Sequence, residues 1–343
     1  MDDDRIDFVL TWVDGSDNAW LEQKRKYEKS GMDVSCTDVN ANAECRYRDY
    51  GLLQYWFRAV EQFTPWVNRV FFVTCGQKPA WLNEAHPKLR LVNHTDYIPA
   101  AYLPTFHSNT IELNLHRIPE LSEHFVLFND DCFVIRPLSP SFYFKKGLPV
   151  LPCDLGIPRW LGCSNTSRIA LNNSGILKLS FDVEHQVWKH IGKYIDVPVL
   201  GFARAAKNLV SFLVNRTVLL GTFGHLPHPH LKSTFEEIWR VQPGILEQTS
   251  SSRFRTDGCV NHWLACAWNM IMGRFYPSNE KDKGEFTTLN DECLAHAFDV
   301  IRRQLQPQIC LNDAGGTPDV ERCSREIAKA FEELLPKKSS FEK

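Results

Sequence analysis

The residues best suited to chemistry are Asn129-Asp130-Asp131, which close the apolar run His124 to Phe128. Adjacent carboxylates raise each other's pKa unless a cation or a proton separates their charge. Mg²⁺ or Mn²⁺ would do so, and both ions favour oxygen ligands and bridge carboxylates to a diphosphate. A strand-ending turn uses the same residue types, so the triplet reads either way. Asp14-Gly15 after Trp12-Val13 has the same duality: Gly15 permits a close approach to a ligand, and Asp14 suits a ribose hydroxyl, a metal or a turn. Glu112 and His116 stand four apart and would share one helical face as an acid/base pair. His225, His228 and His230 alternate with prolines, which would hold their imidazoles for general-base, phosphate or metal work. Arg253 and Arg255 suit bidentate phosphate recognition or a surface salt-bridge cluster. Asn312-Asp313 ends another short apolar run.

Strands are expected at Ile6 to Val13, Arg69 to Thr74, Leu89 to Val92 and His124 to Phe128, alternating with helices. That rhythm predicts an α/β fold with a mainly parallel sheet flanked by helices. Leu53, Trp56, Phe57 and Val60 recur at i, i+3, i+4 and i+7, which places a helix after Asp49 as N-cap, with Arg46 and Arg48 just before it. Another helix follows Ser108. The four strands end in Asp14-Gly15-Ser16-Asp17, Cys75-Gly76-Gln77, Asn93-His94 and Asn129-Asp130-Asp131. In an open α/β sheet ligands bind outside the carboxyl ends of the strands, so these four ends predict one site. From about Arg136 the chain turns Pro-punctuated and irregular, and Pro318 to Leu335 reads as a closing helix.

The chain of 343 residues is 43% hydrophobic and 23% charged, an ordinary globular composition. A net charge of −2 leaves no basic excess for nucleic acid. The acidic start Met1-Asp2-Asp3-Asp4 lacks the pattern of a secretory signal, so a cytoplasmic setting is expected. Eleven cysteines without a C-x-x-C pair read as reduced, mostly buried thiols. No apolar run is long enough for an ordinary membrane span. Asn208 to Gly224 comes nearest, and reads as a buried element or as a surface touching a membrane or a lipid-linked acceptor.

Taken in order, these motifs resemble the four conserved regions of the Stealth family. Region one is similar to Ile6 to Gly15, and region two to Arg46 through Leu138, with Arg46-Tyr47-Arg48-Asp49, Leu103-Pro104-Thr105-Phe106 and His116-Arg117-Ile118 within it. Region three is similar to His225 through Arg255 and the helix after it, and region four to Cys310-Leu311-Asn312-Asp313. The resemblance implies a Rossmann-like catalytic domain that moves a sugar-1-phosphate from a UDP-sugar to a hydroxyl of an oligosaccharide, polysaccharide or lipid-linked glycan, releasing UMP. Capsule or cell-wall polysaccharide synthesis is the implied setting, with peripheral association at the inner membrane face. Within one domain, 1–138 would bind the nucleotide sugar, 139–221 would vary with the acceptor and 222–343 would complete the site. Asp131, Asp130, His225 and Arg255 are the implied catalytic residues, and Asp130, Asp131 and Asp313 the ligands of Mg²⁺ or Mn²⁺. Asp14, Gly15, Arg48, Gln77, Ser108, Glu112, His116, Arg117, His228, Arg253 and Asn312 would bind substrate. Two other functions share most of these features: a metal-dependent glycosyltransferase releasing UDP, and a noncatalytic glycan- or nucleotide-binding module.

Overall fold

The computed structural model describes residues 5–29, 36, 38, 40–155, 164–215, 223–313, 315 and 319–343. Its strands are β1 (Ile6–Thr11), β2 (Val70–Thr74), β3 (Leu89–Asn93), β4 (His124–Asn129), β5 (Cys132–Val134), β6 (Phe144–Lys145), β7 (Leu148–Pro152), β8 (His228–Leu231), β9 (Tyr276–Ser278), β10 (Glu285–Thr288) and β11 (Gln308–Asn312). The main sheet has the order β3-β2-β1-β4-β8, with the first four strands parallel and β8 antiparallel to β4.

A strand in the middle of a parallel sheet is covered on both faces, so it must be apolar throughout. β1 meets that demand: Phe8, Val9 and Leu10 are fully buried. Its alternate residues enter two different cores. Phe8 and Leu10 pack with Trp56, Phe57 and the closing helix, while Val9 packs with Phe71, Phe235 and Trp268. The α/β expectation is therefore met, with helices on both faces of the sheet. The closing helix runs over Val320–Leu334 and buries Cys323, Ile327, Ala330 and Phe331. Among the described residues, ten cysteines are free thiols.

Two smaller sheets attach to this frame. β5 leaves β4 after a turn and pairs antiparallel with β11, which runs parallel to β10. β6 and β7 form a hairpin in the stretch expected to be irregular, and β9 pairs with β7. β8, β9, β10 and β11 lie beyond residue 222, yet each completes a sheet begun by an earlier segment or sits beside one that does. No described helix is long and apolar enough to cross a membrane. In the Asn208–Gly224 stretch, the helix Phe202–Asn215 buries Ala205, Asn208 and Phe212 and exposes Phe202, Val210, Leu213 and Val214. Residues 216–222 lie outside the described residues.

Candidate active site

Asn129 is the last residue of β4 and Cys132 the first of β5, so Asp130 and Asp131 form the whole turn between two sheets. The Asp131 carbonyl accepts from Leu311 N–H at 2.8 Å, which fixes the turn to β11. Its carboxylate accepts from the Cys132 thiol at 3.2 Å and the Cys310 thiol at 3.4 Å. Burial pushes the Cys132 thiol up to about 12 and the Cys310 thiol well above its usual value, so both keep their protons and act as donors. Asp131 Oδ2 also lies 3.5 Å from His225 Nε2.

β8 delivers that histidine. It runs antiparallel to β4 with His228 opposite Leu127, so the residues just before it arrive at the Asn129–Asp131 turn. The His225 side chain is 39% exposed, open to a substrate. Burial favours its neutral form, but Asp131, and then Glu112, outweigh burial and raise its pKa above the ordinary value. Burial likewise works to raise the Asp131 carboxyl, and His225 outweighs it, holding Asp131 below the usual carboxylate range. The two form a mutually stabilised pair.

Asp130 faces different company in a cleft lined by Trp12, Arg48, Asp49, Tyr50 and both turn aspartates. Burial first, then Asp131 and Asp49, pushes Asp130 well above its usual range. Asp49 is itself raised, by burial and by Asp14. It is not the N-cap expected from the sequence. Gly51, at φ 68°, turns the chain, its amide takes Asp49 Oδ1 at 2.7 Å, and the helix begins at Leu53 without a side-chain cap. Trp12 Nε1 donates to Asp49 Oδ2 at 3.2 Å, which leaves the carboxylate in the cleft.

These oxygens suit a hard divalent cation: carboxylates that raise one another are relieved by a shared positive charge. A tighter group, Asp131, Cys132 and Cys310, has ligand atoms within 4.8 Å of one another, but its sulfurs are protonated donors and do not suit Mg²⁺ or Mn²⁺.

A third set of groups completes the constellation. Arg255 donates through Nη2 to Ser108 Oγ at 2.8 Å and through Nη1 to the Ala41 carbonyl at 2.7 Å. Glu112, on the helix Ser108–Leu113, is buried, and burial pushes its pKa up to about 7 against the lowering pull of Arg255, His225 and Ser108. His262 Nε2 lies 3.9 Å from its Oε2. Two sets of ionisable groups thus act on one another: Asp131 and His225 at the turn, and Glu112 on its helix with Arg255 nearby.

The family model described as Stealth protein CR1, conserved region 1, matches residues 4–32, and that of Stealth protein CR2, conserved region 2, matches residues 46–150. Over 341 residues the chain is 41% identical to the capsular polysaccharide phosphotransferase WcwK of Streptococcus pneumoniae, covering 98% of this chain and 99% of that protein. The chain belongs to the Stealth family. It is also 37% identical, over 99% of both proteins, to the receptor polysaccharide phosphotransferase WefC of Streptococcus gordonii. This Stealth chain is an enzyme, a phosphotransferase. A solved structure of the galactosyltransferase LgtC, in complex with donor and acceptor sugar analogs, aligns at 13% identity and TM-score 0.43 over 97% of this chain and 96% of that one.

Several expected site residues of the Stealth enzyme do other work. His116 does not share a face with Glu112, because the helix ends at Leu113 and a 3₁₀ turn carries Leu115–Arg117. Its ring lies against Phe235 and Trp239, and burial lowers its pKa to about 4. Arg117 is exposed and stacks on Trp239. His228 is a β8 residue, not a loop residue, and burial lowers it to about 3. Arg253 lies over the Tyr27 ring and donates to the Pro104 carbonyl. Asp313 accepts from Arg48 and from Tyr50 at 2.9 Å through Oδ2 and from Gly315 N–H through Oδ1, so its oxygens are engaged without a metal.

At Gly15 an added Cβ would meet the Tyr47 carbonyl oxygen at 1.9 Å: the close approach is to the protein's own chain, not to a ligand. Gln77 accepts from Asp14 N–H at 2.9 Å and donates to its carbonyl at 3.0 Å, while Asp14 Oδ1 takes both the amide and hydroxyl of Ser16. The β3 end contributes nothing to the cleft, since Asn93 and Asp96 cap the turn His94–Tyr97. Asn312 stands at the end of β11, in the second sheet, and its carbonyl accepts from Leu289.

Proposed function

We propose that the enzyme transfers a hexose- or N-acetylhexosamine-1-phosphate from a UDP-sugar to a glycan hydroxyl in capsular or cell-wall polysaccharide synthesis. The reading rests above all on the Asp131–His225 pair at 3.5 Å, open to solvent and facing Arg255 and Glu112 in a Stealth frame. The polysaccharide setting is supported by the relatives named as capsular and receptor polysaccharide phosphotransferases.

The acceptor hydroxyl attacks the sugar-proximal phosphorus in line. The new P–O bond forms as the bond to the bridging oxygen breaks, and UMP departs with that electron pair. Asp131 at 3.5 Å and the Asn129 amide at 3.1 Å hold the His225 ring through Nε2, and the imidazole in its neutral form takes the proton of the acceptor hydroxyl. The raised pKa makes this imidazole a stronger base than an isolated histidine. Arg255, braced by Ser108 and the Ala41 carbonyl, binds phosphate oxygens, and Arg48 lines the cleft that holds Asp130. Asp130, with Asp131 and Asp49 beside it, would hold Mg²⁺ or Mn²⁺, which would neutralise diphosphate charge. A lipid-linked acceptor, and peripheral attachment at the inner membrane face, fit the apolar outer side of the helix Phe202–Asn215.

Replacing His225 by alanine tests the base. Calorimetry should find UDP-sugar binding retained while turnover falls by about 10²-fold or more. Near-normal turnover in a folded H225A protein would remove His225 from that role.

A further inference from the structure

A string of buried side chains runs from Glu112 into the second core. His262 Nε2 lies 3.9 Å from Glu112 Oε2, His262 Nδ1 is 3.2 Å from His230 Nε2, and His230 Nδ1 is 3.8 Å from Cys266 Sγ. His230 and Cys266 are fully buried, and His262 and Glu112 are 7% and 5% exposed. In the other direction Glu112 bonds to Ser108, whose hydroxyl receives Arg255. Apolar side chains of similar volume would fill this part of the core without the cost of burying two imidazoles. Packing alone therefore does not account for them.

Their hydrogen-bond logic does. A neutral imidazole has one N–H and one acceptor nitrogen. Burial lowers both histidines well below the ordinary range, so both are neutral. With Glu112 ionised, Cys266 S–H donates to His230 Nδ1, His230 Nε2–H to His262 Nδ1, and His262 Nε2–H points at the carboxylate. With Glu112 protonated, every bond reverses: Glu112 O–H points at His262 Nε2, His262 Nδ1–H at His230 Nε2, and His230 Nδ1–H at Cys266 Sγ. The two arrangements differ in the tautomer of both imidazoles and in the proton Glu112 takes up from solution, while the Cys266 thiol, which burial raises well above its usual value, keeps its proton in both.

We propose that His262, backed by His230, is a positioning residue for the transfer reaction, holding the Glu112 carboxyl toward Ser108 and Arg255 in both its ionised and protonated forms. This rests on the reading that Glu112 and Arg255 face the substrate. His262 touches neither substrate nor metal in this scheme; it acts through Glu112.

The test is a double-mutant cycle of His262→Ala and Glu112→Gln in the full chain. Nucleotide release is followed with UDP-glucose and UDP-N-acetylglucosamine as donor probes, and folding by thermal melts. H262A should lower kcat about tenfold with little change in donor KM, added imidazole should restore part of the loss, and H262A in the E112Q background should cost nothing further. Equal losses in both backgrounds, or no imidazole rescue of a folded H262A protein, would overturn the positioning role. If H262A does not fold, His262→Gln, which keeps a donor near the Nε2 position, replaces it in the same cycle. If E112Q itself turns over normally, the placement of Glu112 in the site fails; if E112Q is slow and H262A additive, only the present inference fails.

Discussion

Glu112→Gln should make the protein more stable at neutral and alkaline pH while slowing it. Burial of Glu112 raises its pKa from 4.5 to about 7. Between those values the folded protein holds a proton that the unfolded chain has released, so stability falls as pH rises through this window. Each tenfold change in an acid constant is worth about 1.36 kcal/mol, so the ionised carboxyl costs the fold about 3 kcal/mol once the pH is above 7. Glutamine has nearly the same shape and never ionises. The stability difference between variant and wild type should be small near pH 4.5, grow through pH 7 and level off near 3 kcal/mol in the variant's favour. Urea unfolding of both proteins from pH 4.5 to 8.5, in EDTA, measures it, since titrations not coupled to Glu112 are common to both and cancel in the difference. A gap that stays flat with pH, or a variant that loses ground as pH rises, would refute the burial argument.

Replacing Asp131 by asparagine removes the largest influence raising His225. The acidic limb of kcat/KM, where His225 must lose its proton to act as base, should shift to lower pH, and the maximal rate should drop; an unshifted limb would count against the pair. Arg58 is 7% exposed and grips Glu342 through two nitrogens, Glu332 and the Leu335 carbonyl through the third. Arg58→Ala strands a buried Glu342 carboxylate and should cost about 3 kcal/mol in urea unfolding. Wild-type protein should float with phosphatidylglycerol vesicles, and Phe202→Glu with Leu213→Glu should abolish flotation; failure of the wild type to float would remove the membrane attachment.

The strands were legible because parallel central strands are apolar on both faces. β1 to β4 begin or end within two residues of expectation, and their carboxyl ends share one edge because all four run in parallel. Asp131, His225, Arg255, Ser108 and Glu112 were named for chemistry and do converge. What failed was side-chain direction. A helix one turn shorter than its apolar stripe suggested separates His116 from Glu112. Asn93 spends its polar groups on a cap and Asp313 on Arg48 and Tyr50, and sequence spacing does not reveal such local partners. Asp49 was legible as a polar residue ahead of a helix, but capping would have consumed it, whereas Gly51 and Trp12 aim it into the cleft. His262 was missed because a single histidine opening an apolar helix carries no local signal; its partners come from residues 112 and 230.

The identity of the released nucleotide tests the central claim most directly. The purified enzyme would be incubated with UDP-sugars, Mg²⁺ or Mn²⁺ and capsule-type oligosaccharides, using a donor labelled at the sugar-proximal phosphorus. The account predicts UMP in solution and the label retained in a glycan phosphodiester. UDP in solution and an unlabelled glycosidic product would contradict it.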